Sequence, residues 1–414
     1  MLTLRGSVPR RGRHLSELAI IQDGALLVVG EKIECVGPSR RLENIKEARG
    51  AEVIDATGKV VMPGFVDSHT HFVFPAPRLA DFERRIQGAS YLELEQAGGG
   101  ILSTVQALRA TSPQTLETKA LRWLRMFAAC GTTTVEGKSG YGLTPAAERK
   151  ILRVMKRVDC RPIEVVRTFL GAHVPPAEFR QNPDDYVEVL TREALPEIRR
   201  RHLAEFCDVF CDSGGFDVPQ ARRILTAAKA LGFGLKIHAD QLTSLGAVRL
   251  AVELGAKSAD HLDKLSGREL DLLAASNTIA TLLPGSVFHL ASGCYPPARA
   301  LIERGAAVAL ATDFNPGTSP TLNMQMILAL ACSQMKMTPA EAVSAATING
   351  AAALGRAAQI GSLEPDKFAD LIMLDAGDYR EIAYYFGMNL VRLTMRRGQI
   401  VWDASAPGGE ETQN

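Results

Sequence analysis

The chain has 414 residues, more than an average domain, which leaves room for two to three units or for one large barrel with a satellite. With 46% hydrophobic residues it can fill a sizeable core, so a small binding module and a disulfide-stapled fold are both excluded. Forty-seven Lys and Arg against 46 Asp and Glu leave a formal charge of +1, and no overall field draws the chain to nucleic acid or an anionic membrane.

From the N-terminus, the basic stretch from Arg5 to His14 is followed by too few apolar residues for a signal sequence. No apolar run reaches the roughly 20 residues of a membrane span. The seven cysteines are odd in number and none forms a CxxC pair, as suits a reducing compartment, so a cytoplasmic location is expected. The run "LAIIQDGALLVVGEKIECVG" carries hairpin signals at Asp23-Gly24 and Gly30-Glu31. The same β-rich texture returns in "GSLEPDKFADLIMLD" and "LVRLTMRRGQIVWDA" near the C-terminus. Residues 1–60 and 361–414 are therefore expected to form one composite, β-sandwich-like domain built from both termini.

Between these ends, short apolar or β-branched runs alternate with longer segments rich in Ala, Leu, Glu and Arg, the pattern of βα units. Strands are predicted at 60–67, 131–139, 162–173, 205–212, 233–240, 258–262, 278–285 and 307–313. Eight parallel strands in about 250 residues point to an α/β fold, a (β/α)8 TIM-like barrel over residues 61–360, with its active site at the C-terminal ends of the strands. A doubly wound sheet is disfavoured because no glycine-rich dinucleotide fingerprint follows the first strand.

Five of the eight histidines, His69, His71, His173, His238 and His261, fall at or just beyond the end of a predicted strand, and Asp313 closes the eighth. In a barrel these side chains share one cup. His69 and His71 are two apart on extended backbone and face the same way, so both can bind one metal. With His238 and Asp313 they supply three imidazoles and a carboxylate, a set suited to zinc or iron and compatible with manganese, with a further position for water. That arrangement predicts metal-assisted hydrolysis, in which His261 acts as acid, base or oxyanion stabiliser and Asp313 carries a proton from water to the leaving nitrogen.

The runs "GFVDSHTHFVF", "QAGGGILSTV", "EGKSGYGL", "FLGAHVPP", "KIHADQ", "SADHL", "YPPARALIERG", "ATDFNPGTSP" and "YYFGMNLV", spread from about Met62 to Trp402, resemble the imidazolonepropionase family of the amidohydrolase superfamily. The resemblance implies a metal-dependent amidohydrolase barrel that hydrolyses 4-imidazolone-5-propanoate to N-formimidoyl-L-glutamate in histidine degradation. It implies one zinc or iron ion (Zn2+, Fe2+ or Fe3+) per subunit on His69, His71, His238 and Asp313. It further implies that Arg78, Tyr141, His173, Gln241, Asn315, Gly317 and Thr318 contact the substrate, with the propionate on Arg78 and Tyr141. The expected partners are this small molecule and a second copy of the chain in a homodimer.

Four positions depart from the family pattern. Prolines 75 and 77 precede Arg78 where small residues are usual, Gly137 replaces a bulkier residue, and Gln241 stands where some members carry Glu. An amide cannot be a general base, which moves that role to His261 and Asp313. The alternatives are another amidohydrolase, such as an aromatic deaminase or a different cyclic-amide hydrolase, and a non-catalytic scaffold on the same fold. The Gln three residues after His238 argues against a deaminase, and the complete ligand set argues against a scaffold.

Overall fold

The computed structural model describes residues 1–89, 93 and 98–406. Gln96 and Ala97 of the "QAGGGILSTV" run and residues 407–414 of the expected composite domain lie outside the described residues.

All eight strands expected in the middle of the chain occur, and they are parallel neighbours in sequence order. They are β4 (Phe65–Asp67), β5 (Thr132–Lys138), β6 (Glu164–Ala172), β7 (Phe206–Cys211), β8 (Gly234–Ala239), β9 (Ser258–His261), β10 (Ile279–Leu282) and β11 (Val308–Leu310). Every residue of β5, β9 and β10 is buried, as expected where helices cover one face and the barrel interior the other. Helices return the chain between strands and are started by local chemistry. Thr144 caps Pro145–Val158 by accepting from Ala147 N, with proline at the first helical position. Asp217 and Gln220 form a reciprocal capping box on Val218–Ala230.

The last and first barrel strands are joined at the catalytic end rather than by a regular ladder. Thr70 and Phe314 form a parallel bridge, His71 N donates to Phe314 O at 2.9 Å, and Asp313 N donates to His69 O at 3.0 Å. This closure brings the two halves of the expected metal site together.

The two termini meet in a separate small sheet. Strands β12 (Leu371–Leu374), β13 (Val391–Arg396) and β14 (Gln399–Asp403) are joined by β3 (Val60–Pro63), all antiparallel. A hairpin of β1 (Gly24–Val29) and β2 (Lys32–Pro38) turns at Gly30, φ +61°, where glycine avoids the left-handed penalty. It docks on the C-terminal segment through Ile33 N to Lys367 O and Ala369 N to Glu31 O, both 2.9 Å. The other expected turn signal, Asp23-Gly24, opens β1 instead of forming a hairpin.

The run 60–67, read from sequence as one strand, is two. Gly64 separates β3 in the small sheet from β4 in the barrel, and its N–H donates to Asp370 O at 3.1 Å. A side chain at 64 would collide with Thr133, so glycine lets the backbone cross between the sheets against β5. No helix among the described residues is long and apolar enough to cross a membrane.

Candidate active site

The strand ends deliver five metal-ligand-type side chains to one point. His69 and His71 leave β4, His238 lies in β8, His261 ends β9 and Asp313 follows β11. His69 Nε2 and His71 Nε2 each stand 3.7 Å from Asp313 Oδ1. The His69 ring centroid is 4.5 Å from that of His238 and 5.4 Å from that of His261. One donor atom each from His69, His71 and Asp313 falls within 4.8 Å of the others, and the same holds for His69, His238 and His261.

The chemistry of this set fits a divalent metal. The Nε2 atoms of His69 and His238 are buried without a hydrogen-bond partner, a costly state that a cation relieves. Burial, with the Lys138 ammonium adding to it, pushes His69, His71 and His261 well below the usual histidine range, so their rings are neutral with free lone pairs. Burial pushes the Asp313 carboxyl up to about 8, the mark of a carboxylate in want of a positive partner. Neutral imidazoles with one carboxylate are donors that zinc and iron accept.

Beneath the cup lies a charged layer that sequence reasoning missed. Glu136, Lys138, Asp208, Lys236 and Asp260 are all buried. Asp260 Oδ2 takes the His69 Nδ1 contact at 2.6 Å, and Asp208 Oδ2 stands 3.1 Å from His238 Nδ1. Lys138 Nζ reaches Asp208 Oδ2 at 2.6 Å, Glu136 Oε2 at 3.0 Å and Asp260 Oδ2 at 3.4 Å. Burial alone would raise both aspartates. His238 and Lys138 reverse that for Asp208, and Lys138 and Lys236 for Asp260, so both are held below the usual carboxylate range. The sequence did carry a signal: Glu136/Lys138 and Lys236/His238 are i, i+2 pairs inside apolar strands, placing charge on the barrel's inner face.

The expected substrate contacts line one side of the cup. His173 stacks on His71 with centroids 5.2 Å apart and planes 18° apart, and its Nδ1 lies 3.1 Å from Gly140 O. Tyr141 is buried, with its ring 5.6 Å from His173 and 5.9 Å from His71. The half-buried Arg78 lies beside it, Cζ 5.8 Å from the Tyr141 centroid, with Nε donating to Thr104 Oγ1 at 2.8 Å. The prolines before Arg78 therefore leave its guanidinium at the cup. A Cβ on Gly317 would meet Arg78 Nη1, so a side chain there would make the guanidinium shift, and the glycine serves close approach rather than a positive φ.

Glu148, also absent from the sequence reading, holds the Tyr141 loop. Its carboxylate accepts from Gly140 N, Gly142 N and Leu143 N at 2.7–2.8 Å. Asn315 does the same for the loop after β11. Its Oδ1 accepts from Gly317 N and Thr318 N at 2.8 and 2.7 Å, while Nδ2 donates to Asp313 O and Thr318 Oγ1 at 2.7 and 2.8 Å. The amide is thus fully used inside the loop. Gln241 is set by its backbone, whose N–H donates to Asp212 Oδ2 at 2.8 Å.

Comparison with known proteins agrees with this architecture. Residues 60–401 match the model of the Amidohydrolase family. The chain is 47% identical over 409 residues to the imidazolonepropionase of Solibacter usitatus, covering 98% of this chain and 97% of that protein. It is 46% identical to the imidazolonepropionase of a Geobacillus strain, covering 97% and 96%. Among solved structures, the guanine deaminase of E. coli shares the fold with a TM-score of 0.72 at 19% identity, covering 94% of this chain and 95% of that one. An adenosine deaminase from Xanthomonas campestris, solved with bound zinc, gives 0.69 at 20% identity, covering 92% and 88%. The chain belongs to the amidohydrolase family and, within it, to the imidazolonepropionases.

Proposed function

We propose that the protein hydrolyses the ring amide C–N bond of 4-imidazolone-5-propanoate, giving N-formimidoyl-L-glutamate, as the names of its relatives suggest. The observation that carries this reading is the convergence of His69, His71, His238 and Asp313, with bare, buried imidazole nitrogens, at the C-terminal end of the barrel. These four residues would hold one zinc or iron ion. When bound, the ion supplies Lewis-acid chemistry, acidifying water and polarising a carbonyl oxygen.

The side chains around that point divide the remaining work. The Asp313 carboxyl takes a proton from the attacking water and returns it to the ring nitrogen as the C–N bond breaks. His261, a neutral imidazole, offers an N–H to the oxygen on which charge develops. Among the described residues no carboxylate pairs with the Arg78 guanidinium, which leaves its fork for the propionate, with Tyr141 beside it. His173, Gln241 and the 315–318 loop flank the ring. Because the Asn315 amide is already fully used, that loop meets the substrate through Gly317 and Thr318 while Asn315 fixes its shape. The expected homodimer has a candidate apolar face in the exposed Tyr384, Phe386 and Met388.

The test is turnover of freshly generated 4-imidazolone-5-propanoate, followed by loss of ring absorbance with the product weighed by mass spectrometry. Formimidoylglutamate formed faster than spontaneous decay supports the reading. A metal-loaded protein that leaves this substrate untouched, or that instead deaminates aromatic amines, contradicts it.

A further inference from the structure

The barrel interior below the cup holds two lysines of similar burial and different connectivity. Lys236 Nζ donates to Ser68 O and pairs with Glu136 Oε1, both at 3.0 Å. Lys138 Nζ donates to Asp208 Oδ2 and stands within ion-pair distance of two more carboxylates, Glu136 and Asp260. Two of those carboxylates are the ones at the Nδ1 atoms of His238 and His69. The same residue also reaches the histidines through its backbone, because Lys138 N donates at 2.9 Å to Thr70 O, between His69 and His71.

We propose that Lys138 is the positioning residue of the metal centre, one ammonium that orients Asp208 and Asp260 together and through them turns His238 and His69 so that Nε2 of each faces the ion. The inference rests on the metal site proposed above. At His69 the hydrogen bond of Nδ1 to Asp260 keeps the ring proton there and leaves the lone pair on Nε2, and at His238 the Asp208 carboxylate, 3.1 Å from Nδ1, favours the same tautomer and ring orientation. Lys138 Nζ lies within ion-pair distance of both Asp208 Oδ2 and Asp260 Oδ2, so one cation bridges the two carboxylates and holds them in place. Lys138 is shared by the two arms, so its loss perturbs two ligands at once. Lys236 contacts neither aspartate at ion-pair distance among the described residues and acts on Asp260 only through the longer-range field, so its loss removes a buried charge of the same kind while both arms keep their contact with Lys138.

The experiment compares the zinc affinity of the full-length protein, Lys138→Met and Lys236→Met by competition with a chromophoric chelator, with thermal melts to establish folding. Each protein is also loaded with cobalt and its visible ligand-field spectrum recorded at saturation. Lys138→Met should bind zinc about 10- to 100-fold more weakly, the usual scale for losing a partner of a ligating histidine. Its cobalt spectrum should differ from that of the unsubstituted protein, while Lys236→Met stays within about threefold in affinity and keeps the spectrum. If Lys138→Met does not fold, Lys138→Gln, whose amide keeps two donors in the layer, carries the comparison. Equal losses in the two lysine variants, or undiminished affinity in a folded Lys138 variant, would overturn the inference alone. Failure of the unsubstituted protein to take up zinc or cobalt would overturn the metal site and this inference with it.

Discussion

Thr312 Oγ1 donates to Asp67 Oδ2 at 2.6 Å and Thr312 N to Asp67 Oδ1 at 3.0 Å, clasping the last barrel strand to the first immediately before Asp313 and His69. All four groups are buried, and the clasp stands where regular strand pairing is missing. Thr312→Val keeps the shape and removes one donor, leaving Asp67 Oδ2 unsatisfied. The expected cost is about 1–3 kcal/mol of stability, read from denaturation midpoints, together with weaker metal retention on dialysis against chelator. Retention equal to that of the unsubstituted protein would show that the clasp does not set the position of Asp313.

Arg78 and Gly317 form a second such pair. Arg78→Ala removes the guanidinium, and Gly317→Ala places a Cβ against Nη1, which must then shift. Both should raise KM for 4-imidazolone-5-propanoate, Arg78→Ala by roughly 10- to 100-fold, the worth of a charge-assisted hydrogen bond, with kcat less affected. Steady-state kinetics check this. A KM unchanged in Arg78→Ala would place the propionate elsewhere.

His238→Ala should lose metal and activity together, since it removes one of the four donors, an imidazole with its Nε2 bare and buried. Metal analysis after gel filtration, paired with the turnover assay, decides the point. Full metal content in this variant would remove His238 from the ligand set.

Asp370, buried where the small sheet meets the barrel, accepts from Arg397 N at 2.7 Å, and burial lifts its carboxyl to about 6. A folded value above the unfolded one means that the folded state holds the proton more tightly. The stability from this group is therefore present below about pH 4 and lost as pH rises through 6. Asp370→Asn keeps the acceptor without the charge. It should stabilise the protein by on the order of 2–3 kcal/mol at pH 8 and by about half that at pH 5. Denaturant midpoints at the two pH values test the sign, and a destabilised variant at pH 8 would reverse it.

The barrel and the metal-type donors were legible because both leave local marks. A strand that ends in His-x-His, or in a lone His or Asp after an apolar run, announces a side chain at the catalytic face. The charged layer under them was not read, because Lys138, Asp208 and Asp260 are residue types seldom buried unless paired, and their partners lie on other strands. Only the spacing of Glu136 with Lys138 and of Lys236 with His238 gave it away. Gly64 was absorbed into one long strand because nothing local separates a sheet-to-sheet crossing from a continuous run; Thr133, nearly 70 residues on, decides it. Asn315 was implied as a substrate contact by resemblance, and the hydrogen bonds that tie its amide to its own loop are visible only in three dimensions.

Under the proposed function, one metal ion held by His69, His71, His238 and Asp313 would make this chain an imidazolone-ring hydrolase. The most direct test strips the protein with chelator, adds back zinc or iron in fractions of an equivalent, and follows formimidoylglutamate formation at each step. The stripped protein should show no turnover above spontaneous decay, and activity should rise linearly and stop rising at one equivalent per chain. Full activity in the stripped protein, or a rise that continues to two equivalents, would contradict it.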